Sequence, residues 1–330
     1  MGPVSAFLLM ALLSAALPTI APATLRPELH EVDSSGNRRL CLRRFEDSAK
    51  VEWLLLLEPH RLETSLGHAG AWRATGRPLS VFDSSAWGKL RAQEAKAGWK
   101  DAGIRHVAAQ EKGIVLSVDL CPSRKPLDRV LVHRLCEAFR KEGKPVPVAF
   151  ALSGGWLRTH REDMAWLQGQ VDSGRIDPTW VNHTNTHPYH KGTPDRKNFL
   201  FLPGVDLQAE VLGAETEMLR RNCVPSVFFR FPGLMDDSAL CARVLGMGLL
   251  PVGADAWLAK NQRAGQGSIV LIHGNGNEPI GVHDFLKLLE RERPEIRQRH
   301  WHLEDLSEEL DEFPDSPATI PAVQGGRRRN

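Results

Sequence analysis

The chain has 330 residues, 42% of them hydrophobic and 25% charged, an ordinary globular mix that excludes a fibrous repeat or disorder throughout. Its length allows one large domain with a small one, or two of middle size. With 42 Lys and Arg against 40 Asp and Glu, the net charge is +2 and the only basic run is Arg327 to Arg329, so nothing supplies the concentrated positive face that a nucleic-acid partner requires.

Residues 5 to 21 form an apolar, uncharged stretch followed by Ala21-Pro22-Ala23, the small-x-small pattern of a cleavage site. Pro18 and the shortness of the run favour a signal peptide over 1–23 above a membrane anchor, although no Lys or Arg precedes it. The expectation is therefore export, to a periplasm or the outside, with a mature chain from near Thr24. Residues 24–110 differ in texture from the rest. Val51 to Leu57, with four consecutive leucines, reads as a buried strand, Gly67 to Gly70 as a turn, and Ala86 to Lys100 as a weak helix. This stretch is expected to be a small N-terminal module of unknown role.

From Gly113 the pattern changes. Short apolar runs occur at Ile114–Val118, Val146–Leu152, Thr179–Val181, Ser226–Phe229, Leu249–Val252 and Ser268–Ile272, with a further candidate at His300–Leu303. Between them lie segments of helical spacing: Leu127–Arg140, Asp163–Val171, Asp206–Arg220, Ala239–Met247 and Val282–Arg291. Strands alternating with helices imply βα units on a parallel sheet, and this many are enough to close a barrel over residues 111–312. The tail, 313–330, is rich in Pro, Gly and Ala and is expected to be disordered. The five cysteines, Cys41, Cys121, Cys136, Cys223 and Cys241, have neither CxxC nor metal-finger spacing.

In a parallel βα barrel the chemistry gathers where strands end. Here the first run ends in Asp119 and the third leads into His183-Thr184-Asn185-Thr186-His187. The fourth ends in Arg230-Phe231-Pro232, the fifth leads into Asp255-Ala256-Trp257, and the sixth ends in His273. Any one of these has a plain structural explanation, but five in chain order form a pattern. His183 and His187, four apart, would share a face if their loop winds into a helical turn, and two imidazoles so placed suit a divalent metal.

Taken together, the five motifs over about residues 113 to 310 resemble the polysaccharide deacetylase family, carbohydrate esterase family 4, the NodB homology domain. The family's Thr-Phe-Asp-Asp-Gly is Ser117-Val118-Asp119-Leu120-Cys121 here. Its His-Ser/Thr-x-x-His is matched in full, and its Arg-x-Pro is Arg230-Phe231-Pro232. Its Asp-then-Trp is loosely Asp255 and Trp257, and its Leu-x-His is Leu271-Ile272-His273. The resemblance implies an α/β fold, a distorted (β/α)7-type barrel. It also implies a hydrolase of non-peptide carbon–nitrogen bonds that uses a divalent metal, zinc among the candidates, to remove acetyl groups from an N- or O-acetylated polysaccharide. On that reading Asp119 is the base, oriented by Arg230, and His273 is the acid, steadied by Asp255. His183 and His187 hold the metal, while Trp257 and Leu271 wall the slot for the acetyl methyl group.

Peptidoglycan, chitin-like oligomers and exopolysaccharide are the candidate substrates, and no stable protein partner is inferred. The nine tryptophans suit sugar faces. The chain departs from the family at Leu120, where a second Asp usually supplies the third ligand. The metal could then be held by the two histidines with water or Asp119, or with Cys121, which lies on the same side of the strand as Asp119. Alternatively it could be absent. For Cys121 the plainer reading, a small core residue or disulfide partner, is preferred. Two other functions stay open: a catalytically impaired carbohydrate-binding homologue, and a hydrolase of a small non-sugar amide.

Overall fold

The structure, a computed structural model, describes residues 24–96, 103–109, 111–139 and 143–311. The expected signal peptide and tail lie outside the described residues. The first part of the chain forms five antiparallel strands: β1 (Arg26–Ser34), β2 (Asn37–Glu46), β3 (Glu52–Glu58), β4 (Glu63–His68) and β5 (Arg73–Ala74), in the order β4-β3-β2-β1-β5. Ser35 and Gly36, both at positive φ, make the two-residue hairpin between β1 and β2. Helix α1 (Ala86–Lys96) follows.

The second sheet is parallel. Its strands are β6 (Gly113–Leu120), β7 (Val146–Leu152), β8 (Ile176–Asn182), β9 (Phe228–Phe229), β10 (Leu250–Pro251), β11 (Ala256–Trp257) and β12 (Ile269–His273), in the order β10-β9-β8-β7-β6-β12-β11. A last strand, β13 (His302–Leu303), pairs with the start of β6. The intervening helices are α2 (Arg129–Phe139), α3 (Gly154–Thr159), α4 (Arg161–Asp172), α5 (Leu207–Leu219), α6 (Ser238–Gly246) and α7 (Pro279–Arg297), with α8 (Glu308–Asp311) at the end. This is the α/β fold expected, a barrel of parallel βα units distorted by strands of two residues.

The barrel has a seam. Residues 103–107 lie between β10 and β12: Ile104 bridges to Val252 in parallel and His106 to Ser268 antiparallel. Ile104 N–H donates to the Pro251 carbonyl and Gly253 N–H to that of Ile104. Ile269 N–H donates to Arg105, and Val107 N–H to Gly267. The backbone groups that an open edge would leave unpaired are thus satisfied by chain from the N-terminal region.

Alternation along β6 sorts its side chains onto two faces. Ile114, Leu116, Val118 and Leu120 join the core under α2, α4 and α7. Val115 faces the opposite way, into a core that also holds Ile269 and Leu271 of β12, Leu40, Leu42, Leu55 and Leu57 of the antiparallel sheet, and Trp87 and Leu90 of α1. The stretch expected as a small N-terminal module therefore shares a hydrophobic core with the barrel. Arg43 reinforces the junction, donating to both carboxylate oxygens of Glu215 on α5 at 2.6 and 2.8 Å, with both side chains fully buried.

Candidate active site

In the β6–β12 pairing Asp119 lies directly beside His273. Parallel register puts both side chains on the same face at adjacent strand ends. The carboxylate of Asp119 is buried. Its Oδ1 accepts from Arg230 Nη1 at 3.2 Å, and its Oδ2 stands 3.7 Å from His183 Nε2. Arg230 is itself anchored on every side: Nε donates to the Val252 carbonyl, and Nη2 to Ser117 Oγ and the Gly253 carbonyl. A guanidinium so fixed can orient one carboxylate and nothing else.

His183 follows directly on β8. Its Nδ1 lies 2.9 Å from the Arg230 carbonyl, which can only accept, so Nδ1 carries the proton and Nε2 presents a lone pair to the site. Burial, outweighing the pull of Asp119, lowers its pKa and keeps the ring neutral, the form that binds a metal. His187 reaches the same place by a different route from the expected helical turn. Residues 183–187 form an irregular loop in which Thr184 and His187 have positive φ. The two rings meet edge-on, 4.7 Å between centroids. The loop is clamped from all sides. Gly154 and Gly155, at the start of α3, donate to the Thr184 and Asn185 carbonyls, and Thr186 donates through N–H and hydroxyl to Glu210 of α5.

Cys121 lies in the site, contrary to the preferred reading of it as core or a disulfide partner. Its thiol is free, and its Sγ is 3.4 Å from His183 Nε2. Sγ and one nitrogen from each of His183 and His187 all lie within 4.8 Å of one another. Burial alone would push the thiol up, but His187 and His273 outweigh it and hold the pKa down at about 7. Sulfur and two imidazoles are donors that fit zinc.

His273 is placed as expected, but its partner is not Asp255. Its Nδ1 stands 2.9 Å from Glu278 Oε2, off the ring N–H axis, so charge more than a well-aligned hydrogen bond holds the pair. Burial alone would lower its pKa; Cys121, Glu278 and Asp119 together raise it to about 10, so the ring is an imidazolium. Asp255 donates its backbone N–H to the Ile269 carbonyl, four residues before His273 along β12, and a strand covers about 13 Å in that distance. Its carboxylate instead meets His106 Nδ1 at 2.7 Å, on the seam.

Trp257 is near the site. Its indole N–H donates to Glu278 Oε2 at 2.7 Å, and its ring centroid is 5.9 Å from that of His273. Leu271, wholly buried, lies two residues before His273 on the same face of β12. Sequence reasoning missed Glu278, which sits just past a Gly-Asn-Gly-Asn loop at the start of α7, where no periodicity marks it.

No family model matches the chain. Among solved structures it is similar to a family 4 carbohydrate esterase from Bacillus anthracis, at 19% identity, over 68% of this chain and 92% of that one, with a TM-score of 0.44. It is also similar to PdaA of Bacillus subtilis, another family 4 carbohydrate esterase, at 14% identity over 67% and 87%, TM-score 0.44. A third likeness is to BA3943, a pseudoenzyme of that family from Bacillus anthracis, at 15% identity over 65% and 70%, TM-score 0.43.

Proposed function

We propose that the chain is an exported, metal-dependent deacetylase that hydrolyses acetyl groups on a polysaccharide. The observation that carries this is the pairing of Asp119 with His273, a carboxylate and an imidazolium at neighbouring strand ends, beside a cluster of metal-binding donors. His183 and His187 would hold the ion. When bound, a divalent ion polarises an acyl carbonyl and lowers the pKa of water.

The residues do the rest. Asp119, turned by Arg230 on Oδ1, offers Oδ2 to take the proton of the attacking water. The water oxygen bonds to the acyl carbon first, and the carbon–nitrogen or ester carbon–oxygen bond breaks afterwards, as the tetrahedral adduct collapses. His273 gives its proton to the leaving atom, and Glu278 steadies the charged ring beforehand. Support for a glycan comes from Tyr189, two residues after His187. It is more than half exposed, and its ring centroid is 5.5 Å from that of the buried Phe199, which in turn stands 6.0 Å edge-on from His187, so one exposed aromatic face of the sort sugars stack on is linked through Phe199 to a candidate ligand. Support for export is the uncharged apolar run at 5–21 with Ala-Pro-Ala behind it.

Acetate release from a panel of N- and O-acetylated glycans tests the proposal. Asp119→Asn and His273→Ala should each cut turnover about 100-fold or more, the usual worth of a positioned acid or base. A wild-type chain that frees no acetate from any of them, or a variant of wild-type rate, overturns it.

A further inference from the structure

We propose that Cys121 is the third protein ligand of the divalent-ion site, so that the ion sits between one thiolate and two imidazoles. This rests on the hydrolase reading above and adds the donor that His183 and His187 lack. The first ground is direction. Position 120, where a carboxylate would be sought, turns its side chain into the core under α2 and α7, and the next residue comes back to the Asp119 side. The second is distance: Sγ is 3.4 Å from His183 Nε2, and the three donor atoms lie within 4.8 Å of one another. The third is preparation. His183 has its other nitrogen committed to the Arg230 carbonyl, and the Cys121 carbonyl accepts from Asn275 Nδ2, a side chain with no exposed surface. Both ligands are therefore aimed before any ion arrives.

The chemistry follows from the donors. A thiolate carries the same single negative charge as a carboxylate, so the site's charge is kept while its softness changes. Sulfur with two imidazoles favours zinc or cobalt over magnesium, calcium or manganese. Loading forms a metal–sulfur bond and breaks the S–H bond, releasing one proton to solvent.

The experiment uses the full chain, stripped of metal and reloaded with one equivalent of cobalt(II). The wild type should show an intense near-ultraviolet sulfur-to-cobalt charge-transfer band. Cys121→Ser should lose it and bind zinc roughly tenfold or more weakly in a chelator competition. Cys121→Asp should bind cobalt without the band. Cys41→Ser, removing the thiol near Glu28 and His30, should keep it. A wild type without the band, a band that survives in Cys121→Ser, or an unchanged zinc affinity in that variant overturns the proposal. The wild-type spectrum needs no variant to fold. Acetate release separates the two readings. A band without acetate keeps the ligand and removes the hydrolase, whereas acetate without a band removes only the ligand.

Discussion

Leu120 stands between two residues that face the site, yet it is fully buried with Val118, Leu127 and Leu131 on the helix side of β6. Leu120→Asp would therefore place an unpaired carboxylate in an apolar core. The expected cost is several kcal/mol, read as a large fall in melting temperature, with no gain in zinc affinity. A rise in affinity at unchanged stability would show the side chain reaching the site. Glu278 and Asp255 make a second contrast at this scale. Glu278→Gln removes the charge beside His273 and should lower turnover. Asp255→Asn removes a half-exposed pair with His106, should cost no more than about 1 kcal/mol, and should leave the rate unchanged. A rate as low in Asp255→Asn as in Glu278→Gln would return Asp255 to the machinery, and a wild-type rate in Glu278→Gln would remove Glu278 from it. The motif residues Asp119, His183, His187, Arg230 and His273 were legible because each ends or follows an apolar run. Glu278 was not, because loop geometry brings it back to the imidazole and leaves no trace in spacing.

The longer elements could be read from pattern alone. Val146–Leu152 is a strand end to end, and the helices at 129–139, 161–172 and 207–219 follow their apolar spacing closely. What escaped was short or locally contradictory. β11 has two residues, and α3 opens on two glycines, poor helix formers held there by the Ser153 cap on Trp156 N–H. The loop carrying His187 depends on such a contradiction. Gly213, in the middle of α5, leaves room for Asn185; a Cβ there would meet its side-chain amide at 2.6 Å. Gly213→Ala should raise helix propensity by about 1 kcal/mol, yet displace the loop and weaken zinc binding. Zinc affinity at the wild-type level would mean that Asn185 moves freely and the loop does not depend on it.

At the scale of the molecule, the first sheet and the barrel share one core and are expected to unfold together. Besides Arg43 and Glu215, the Trp87 indole donates to the Gly248 carbonyl and Thr64 to that of Pro225. Breaking the buried ion pair from one side, Arg43→Ala, should cost about 3–5 kcal/mol in denaturant unfolding, since it strands a carboxylate in the core. A single transition, not two, should be seen in wild type and variant alike. The sequence showed only β3 of this first sheet, through its leucines, because β1 and β2 mix charged and apolar residues on both faces, β4 has a single large apolar residue, and β5 is two residues long.

The seam at 103–107 also bears on the order of events as the chain is made. The segment that fills the gap leaves the ribosome before β6, whereas its partners on β10 and β12 come after most of the barrel. Contacts between stretches so far apart in sequence close slowly and late. Until then the inner core has no lid on that side, and Ile104 and Val107 stay unsheltered. A nascent chain stopped anywhere before β12 is consequently a sticky one, and a chain crossing a membrane unfolded would complete its barrel only on the far side.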